Sequence, residues 1–571
     1  MTHTQSSYIL IVGSGPSGLI AALTLLKNGV PVRIIEKASA FHTSQRGAGI
    51  TPRSLEVYNF LGITEIATLG EIRKPICNYE LPGGRKPKII MDMAPYREPT
   101  PDTPFMNPLL LGQHHSEEIF RSHIEKYGVH VELNTELVGF SQDENGVTTQ
   151  VVRRSGGSEV HEIIRTPFMI GADGARGFTR KGLGLTFAGV SRPTERFIIG
   201  DLLLKGLDTK YWHSWGEFGT TFVSLRPTEF QDRFFIVTGG QGVDYKALLA
   251  DRNALIRFVV DTTGRDDFEF GEFIGISEYS PNIRMVDRFS KGRIFVVGDA
   301  GHVHSPTGGQ GMNSSIQDSV RIDHQPRLNP PPTPLQFNLG WKLALVYKGQ
   351  APVSLLDSYN DERAPVIRQM LEQTTELLNT AMDAKGNNPE ALKASWERPK
   401  VLWQLGVNYR WSSIVVDEHR PYNPDHAQNA LEAYGSQTDQ TIHAGDRAPD
   451  APGLTAHGVD TTLFKIFQPN RHTALLFYSS PADAKAVVDT LNTWFEGTLK
   501  VVIVLPKGST AENSSWADII VEDKLEHAYS AYGSAATNGY PVVLVRPDGV
   551  IGAIVSGVEG LRKYQKGIFS I

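Results

Sequence analysis

Cysteine is almost missing: Cys77 stands alone in 571 residues. One thiol excludes an internal disulfide, a Cys-x-x-Cys redox pair and any zinc or iron–sulfur site built from several cysteines. Such a chain suits the reducing cytoplasm, the expected location. An excess of one charge is missing too. Lys+Arg 56 against Asp+Glu 62 leave a net charge of −6, and no block of five or six like charges interrupts the mixture. That argues against nucleic acid or a polybasic membrane clamp as partner. The one stretch that could pass for a membrane or signal segment, residues 8–26 without a charge, is broken by three glycines, a proline and several hydroxyls. It reads as a buried strand entering a helix rather than a membrane span. No Gly-x-Ser-x-Gly elbow for a hydrolase is present, and no second Gly-x-Gly-x-x-Gly follows the first.

What is present begins with that stretch. The apolar run 8–12, the turn Gly13-Ser-Gly15-Pro-Ser-Gly18 and a small-residue helix over 19–27 lead to a second strand, 32–35, ending on Glu36. This is a dinucleotide-binding unit. Gly13 permits the turn, Gly15 admits a pyrophosphate, Gly18 lets helix and strand pack, and an acid about 20 residues on takes the ribose hydroxyls. Two later strands end in carboxylates, Asp173-Gly174 and Gly298-Asp299, at the strand edge where open α/β sheets bind ligands. Either alone reads as an ordinary turn. Asp299, His302 and His304 have the residue types of a metal trio, but no supporting shell is evident and no metal is expected.

These residues, together with Gln45-Arg46-Gly-Ala-Gly-Ile50, Gln113 with Glu117, and the run from Gly298 through His302, His304, Pro306 and Gln310 to Asn313, resemble the FAD-dependent aromatic hydroxylases. The resemblance is strongest to their phenol hydroxylase branch. It implies an α/β fold: a Rossmann-type FAD-binding domain, an antiparallel-sheet substrate domain and a C-terminal thioredoxin-like α/β domain. It implies FAD as cofactor, NAD(P)H as co-substrate, O2, a small aromatic substrate and a homodimer. The reaction implied is hydroxylation of a phenolic or polyketide-derived ring through a flavin C4a-hydroperoxide; Baeyer–Villiger insertion or epoxidation shares every motif. By the same resemblance Gly13, Gly15, Gly18, Glu36, Arg46, Gln113, Asp173, Asp299, Gly309, Gly311, Met312 and Asn313 bind cofactor. Tyr279, Arg46, Pro306 and Arg284 serve catalysis. Asp173 is expected to serve both the pyrophosphate and the approach of NAD(P)H. One departure stands out: the acid that phenol hydroxylases place before Gly49 is Ala48 here, which leaves the base open among Tyr279, His213 and a bound water. The cluster Tyr211-Trp212-His213-Ser-Trp215 reads either as a pocket wall or as a packed hairpin.

The expected division is 1–74, 111–185 and 290–365 for FAD, 75–110 and 186–289 for substrate, 366–440 as helical segment and linker, and 441–571 as the thioredoxin-like domain. Tyr540-Pro541 is placed like that fold's cis proline. Because every flavin motif lies upstream, residues past about 444 are expected to be dispensable for flavin binding. Residues 320–336, VRIDHQPRLNPPPTPLQ, read as translated intron: five prolines stand where the helix after Asn313 should run, each costing about 3 kcal/mol inside a helix. If so, the alternative reading is a flavin-binding protein made inactive by that insertion. A real exposed loop is the rival reading of the segment.

Overall fold

The computed structural model describes residues 7–570 apart from 218, 306–307, 319–337, 384–392, 394–395, 424–431, 436–440, 479–484, 495, 510–516 and 537–541. The expectations for Pro306, for Pro541 and for the segment 320–336 therefore lie outside the described residues.

Four consecutive aliphatics make Ile9–Val12 (β1) a strand buried along its whole length, as a strand flanked by two parallel neighbours must be. It pairs parallel with Val32–Ile35 (β2) and with Met169–Gly171. The intervening helix Pro16–Leu26 (α1) has every residue buried except Pro16, because it is covered by sheet on one side and by helices on the other. The sheet is extended by Val131–Glu132 beyond β2 and by Ile294–Val296 beyond Met169–Gly171. Both carboxylates noted in the sequence thus leave the same edge of one parallel sheet, across from the glycine turn.

A seven-stranded sheet joins residues distant in sequence: Glu269–Tyr279, Phe197–Lys205, Arg233–Gly240, Thr221–Pro227, Trp212–Gly216, Ile76–Tyr79 and Pro87–Met91, in that spatial order. Every pairing is antiparallel except Trp212–Gly216 with Ile76–Tyr79. Because side chains alternate across a strand, the aromatic cluster answers to both of its sequence readings. His213 and Trp215 turn into the sheet's outer core, while Trp212 and Ser214 face a cavity.

An eight-stranded sheet ends the chain. Its centre runs Leu499–Leu505, His472–Phe477, Val542–Val545, Ile551–Val555, the first two parallel and the rest antiparallel. It is not a detached unit. Helix Asn338–Tyr347 gives Leu339, Leu343 and Ala344 to the core around β1, but Trp341 and Leu345 to the core of this last sheet. Strand Val416–Asp417 also pairs with Ile551–Val555. A long helix, Asp357–Asp383, carries Pro365 within it and so crosses the expected boundary at 365/366.

Candidate active site

The glycine turn is built for close approach. A Cβ on Gly13 would lie 2.3 Å from the Ala172 carbonyl oxygen, and one on Gly18 would lie 2.1 Å from that of Gly13, so neither position admits a side chain. A Cβ on Gly15 meets nothing within 4 Å; the open side of the turn is there, at the start of α1. No side chain caps that helix and no acid stands in its first turn, so its first N–H groups and its positive end are left for an anion. At the end of β2 the Glu36 carboxylate accepts from the Ser14 N–H at 3.0 Å and the Ser14 hydroxyl at 3.1 Å, which fixes it beside the turn.

A cavity of about 1220 Å³ opens between the FAD-type unit and the seven-stranded sheet. Arg46, Gln113, Tyr279, Arg284, Asp299, Gly309, Gly311 and Met312 line it; the glycine turn, Glu36, Asp173 and Asn313 do not. Arg46 has φ of 43°, a left-handed conformation that a non-glycine residue holds only when its neighbours are pinned. They are. The Gln45 N–H donates to Asp201 at 3.0 Å, its amide to Glu229 at 2.7 Å, and the Gly47 N–H to Gln113 at 3.2 Å. Gln113 is itself oriented by donating to Glu117 at 2.9 Å, and Glu117 holds His42 at 2.9 Å.

Asp299 follows strand Ile294–Val296 in a short 3-10 turn and faces the cavity. Its side chain is open to that space but ringed by protein, so burial raises its pKa against the opposing charges of His302 and Arg46. Helix Gly311–Asp318 begins at the cavity wall. Asn313, buried, ties its start together by accepting from the Thr51 N–H at 2.9 Å and donating to Gly49 at 2.8 Å and Gly309 at 2.6 Å. These bonds hold the two cofactor-side loops together, and Asn313 itself does not line the cavity.

Asp173 does not line the cavity, and one of its carboxylate oxygens, Oδ1, is buried without a hydrogen-bond partner among the described residues. Its carboxylate turns into the start of helix Phe178–Gly182 and accepts from the Thr179 N–H at 2.7 Å; Ala175 and Arg176 reach the cavity in its stead. His213 is removed from the candidate bases. Its two ring nitrogens are engaged by the Tyr79 hydroxyl at 2.8 Å and the Asp208 carbonyl at 2.8 Å, on the face of the sheet away from the cavity. Tyr279 donates to the His304 carbonyl at 3.1 Å, and burial, with the Asp299 charge, pushes its pKa up. It is a proton donor at neutral pH and no base. Arg284 is spoken for by the Phe187 carbonyl at 3.0 Å and the Ser191 hydroxyl at 2.9 Å. Among the described residues no cluster of His, Cys, Asp or Glu could hold a metal, and no helix is long and apolar enough to cross a membrane.

Arg73, Arg398 and Trp396 line the cavity as well, and none was singled out in the sequence. They carry no motif, and Trp396 and Arg398 come from the irregular stretch after the long helix.

The arrangement fits FAD. The uncapped helix start and open Gly15 suit a pyrophosphate, Asp299 suits hydroxyls, and the volume exceeds the roughly 300–1,000 Å³ of a one-ligand pocket. The comparisons agree. The family described as FAD binding domain matches residues 6–325 and 335–374, skipping 326–334 within the proline-rich segment. A flavin-dependent monooxygenase of Mycobacteroides abscessus is 34% identical over 82% of this chain and 88% of its own length. Pentachlorophenol 4-monooxygenase of Sphingobium chlorophenolicum is 28% identical over 96% of this chain and 94% of its own. Among solved structures, aklavinone-11 hydroxylase with FAD and aklavinone superposes with a TM-score of 0.76 at 21% identity, covering 99% of each chain. With the family matched over more than half its length, this chain belongs to the FAD-dependent monooxygenases of the FAD binding domain family.

Proposed function

We propose that this enzyme hydroxylates a phenolic or polyketide-derived aromatic ring, using NAD(P)H and O2. The observation that carries the reading is one cavity shared by two walls. One wall holds the FAD-side residues Arg46, Asp299 and Gly309–Met312, and the facing wall is a sheet surface presenting Trp212, Phe222, Phe235 and Tyr279. FAD, when bound, supplies the electron carrier and the activation of oxygen. The chain's own residues do the rest. The sheet face stacks against a flat ring and keeps water out, which the chemistry requires if reducing equivalents are not to be lost as hydrogen peroxide. Tyr279 donates its O–H to the His304 carbonyl, so that its oxygen can accept from a substrate hydroxyl. His304 stays neutral, its pKa pulled down to about 4 by burial and by His302. With Ala48 in place of the acid, no described carboxylate stands beside Gly49 to take the substrate's proton.

Two of the relatives are named for pentachlorophenol and for aklavinone, which favours ring hydroxylation over Baeyer–Villiger insertion, epoxidation or an inactive flavoprotein. For the last sheet we read a thioredoxin-like domain, supported by its central strand order and by the helices Lys485–Leu491 and Val558–Ile568. With Cys77 elsewhere it has no thiol chemistry. The test of function is a purified yellow protein and a panel of phenols and anthraquinone-type polyketides. A substrate that accelerates NAD(P)H oxidation and gains one oxygen atom is expected. A lactone or epoxide as sole product would exclude ring hydroxylation.

A further inference from the structure

Most of the cavity's sheet wall is apolar, with Ile199, Trp212, Phe222, Phe235, Val237 and Ile276 on it. A row of three polar side chains crosses it. Strand Trp212–Gly216 sets Ser214 beside Asn78 of the strand on one side and beside Ser224 of the strand on the other, and all three line the cavity. Ser224 is occupied: its hydroxyl accepts from the Trp212 indole N–H at 2.5 Å. Asn78 and Ser214 are not. They are 4% and 3% exposed, and neither side chain makes a hydrogen bond among the described residues.

Packing does not account for that pair. Asparagine is a poor strand former, and a buried amide or hydroxyl without a partner destabilises the fold. Alternation sends the chain neighbours Cys77, Tyr79, His213 and Trp215 to the opposite face of the sheet, so the two polar groups meet what enters the cavity.

Their spacing says what that is. Adjacent strands lie about 4.8 Å apart, so the Ser214 hydroxyl and the Asn78 amide N–H can both reach one oxygen set between them. A carbonyl oxygen takes two donors and has no proton of its own to place. Trp212, two residues before Ser214 on the same face, offers a flat apolar surface to the ring that carries it. The strand of Ser214 lies four places along the sheet from that of Tyr279, roughly 19 Å, so the pair reads a different part of the ligand, and a ligand touching both is larger than one phenol ring.

We infer that Asn78 and Ser214 form a specificity subsite for a neutral carbonyl oxygen, so that the substrate carries a ketone within a fused aromatic ring system. This rests on the hydroxylase reading for the word substrate but not for the binding.

The experiment measures binding of 2-hydroxy-9-fluorenone and of 2-hydroxyfluorene, one ring frame with and without the carbonyl, to oxidised FAD-loaded enzyme by equilibrium dialysis with NAD(P)H absent. The ketone is expected to bind roughly tenfold more tightly, as two added hydrogen bonds imply. In the double variant Asn78→Leu/Ser214→Ala the ratio between the probes is expected to fall to about one. Equal binding of the two probes by the parent enzyme overturns the proposal. So does a ratio that survives undiminished in Ser214→Ala, which removes a single oxygen and keeps the proposal testable should the Asn78 substitution fail to fold. Loss of FAD from a folded double variant also overturns it, because the pair then serves the flavin. A ketone preference that depends on both side chains, in an enzyme that adds oxygen to no aromatic, would sink the hydroxylase reading and leave the subsite standing.

Discussion

At the joint with the C-terminal sheet, Glu362 receives Arg546 through both oxygens at 2.7 and 2.9 Å, Lys342 at 2.9 Å and Ser412 at 2.5 Å, and Arg546 also holds Asp548. In the cavity, the Nε of Arg73 has no hydrogen-bond partner among the described residues, and the charge acting on it is another cation, Arg226. Both are buried charge, and the difference is whether the partners come with the chain. Where they do, the charges act as a fastening: Asp548 is tied to Trp341 at 3.1 Å and, through its carbonyl, to Arg53 at 3.0 Å, so three remote segments meet. Where they do not, as at the Nε of Arg73 among the described residues, desolvation and the like charge of Arg226 pull the pKa down to about 10.

The largest expected effect attacks the fastening. Truncation after residue 444 removes Arg546 and Asp548, uncovers Trp341 and Leu345, and strips Val416–Asp417 of its neighbour. The sequence-based expectation that flavin binding survives this truncation is therefore reversed: insoluble or flavin-free protein is predicted, and a soluble yellow fragment would show the joint to be dispensable. Glu362→Ala comes next, at about 3–5 kcal/mol of lost stability because Lys342 stays buried without its carboxylate partner and Arg546 is left with Asp548 alone; denaturant unfolding measures it. The pH dependence has a definite sign. Burial would raise the pKa of Glu362, but Arg546 and Lys342 override it and hold it low. The stability it contributes is thus present above the ordinary glutamate pKa and falls away as pH drops toward the folded value. Unfolding curves from pH 7 downward should show a loss that Glu362→Ala lacks.

On the cavity side the effects shrink. Asp299→Ala is expected to fold and to lose most FAD affinity, read as the flavin-to-protein absorbance ratio after gel filtration; stoichiometric flavin would argue against its ribityl role. Tyr279→Phe removes one hydrogen bond to His304, worth about 1 kcal/mol. Near-normal FAD content with slower or more wasteful turnover is predicted, and unchanged coupling of NAD(P)H oxidation to product would make it a packing residue only. Deleting 320–336 is the smallest of these in flavin content, which should not fall, while the thermal midpoint rises. A protein that needs the segment for FAD would refute its reading as intron. Burial does not decide that reading, since the whole of 338–345 is buried rather than one face of it.

Legibility followed the range of the physics. The strand–turn–helix of residues 9–35 was readable because its signals are local: aliphatic runs, glycine at a turn, an acid one strand later. The carboxylate of Asp299 was readable because it ends a strand of the same sheet. Asp173 has the same local signature and a different use, since Gly177 brings the next helix start within reach of its oxygens, and no spacing rule encodes that. The sequence by itself determined that a dinucleotide unit exists, that no internal disulfide accompanies it, and that the flavin monooxygenase motifs run from Gly13 to Asn313. Only the tertiary structure decided which face of 211–215 lines the cavity, that the last sheet is bolted to the FAD unit through Glu362 and Arg546, and that Arg73 and Arg398 share one cavity. The reason is that alternation and turn chemistry act over a few residues, whereas desolvation and charge depend on what is brought near from hundreds of residues away.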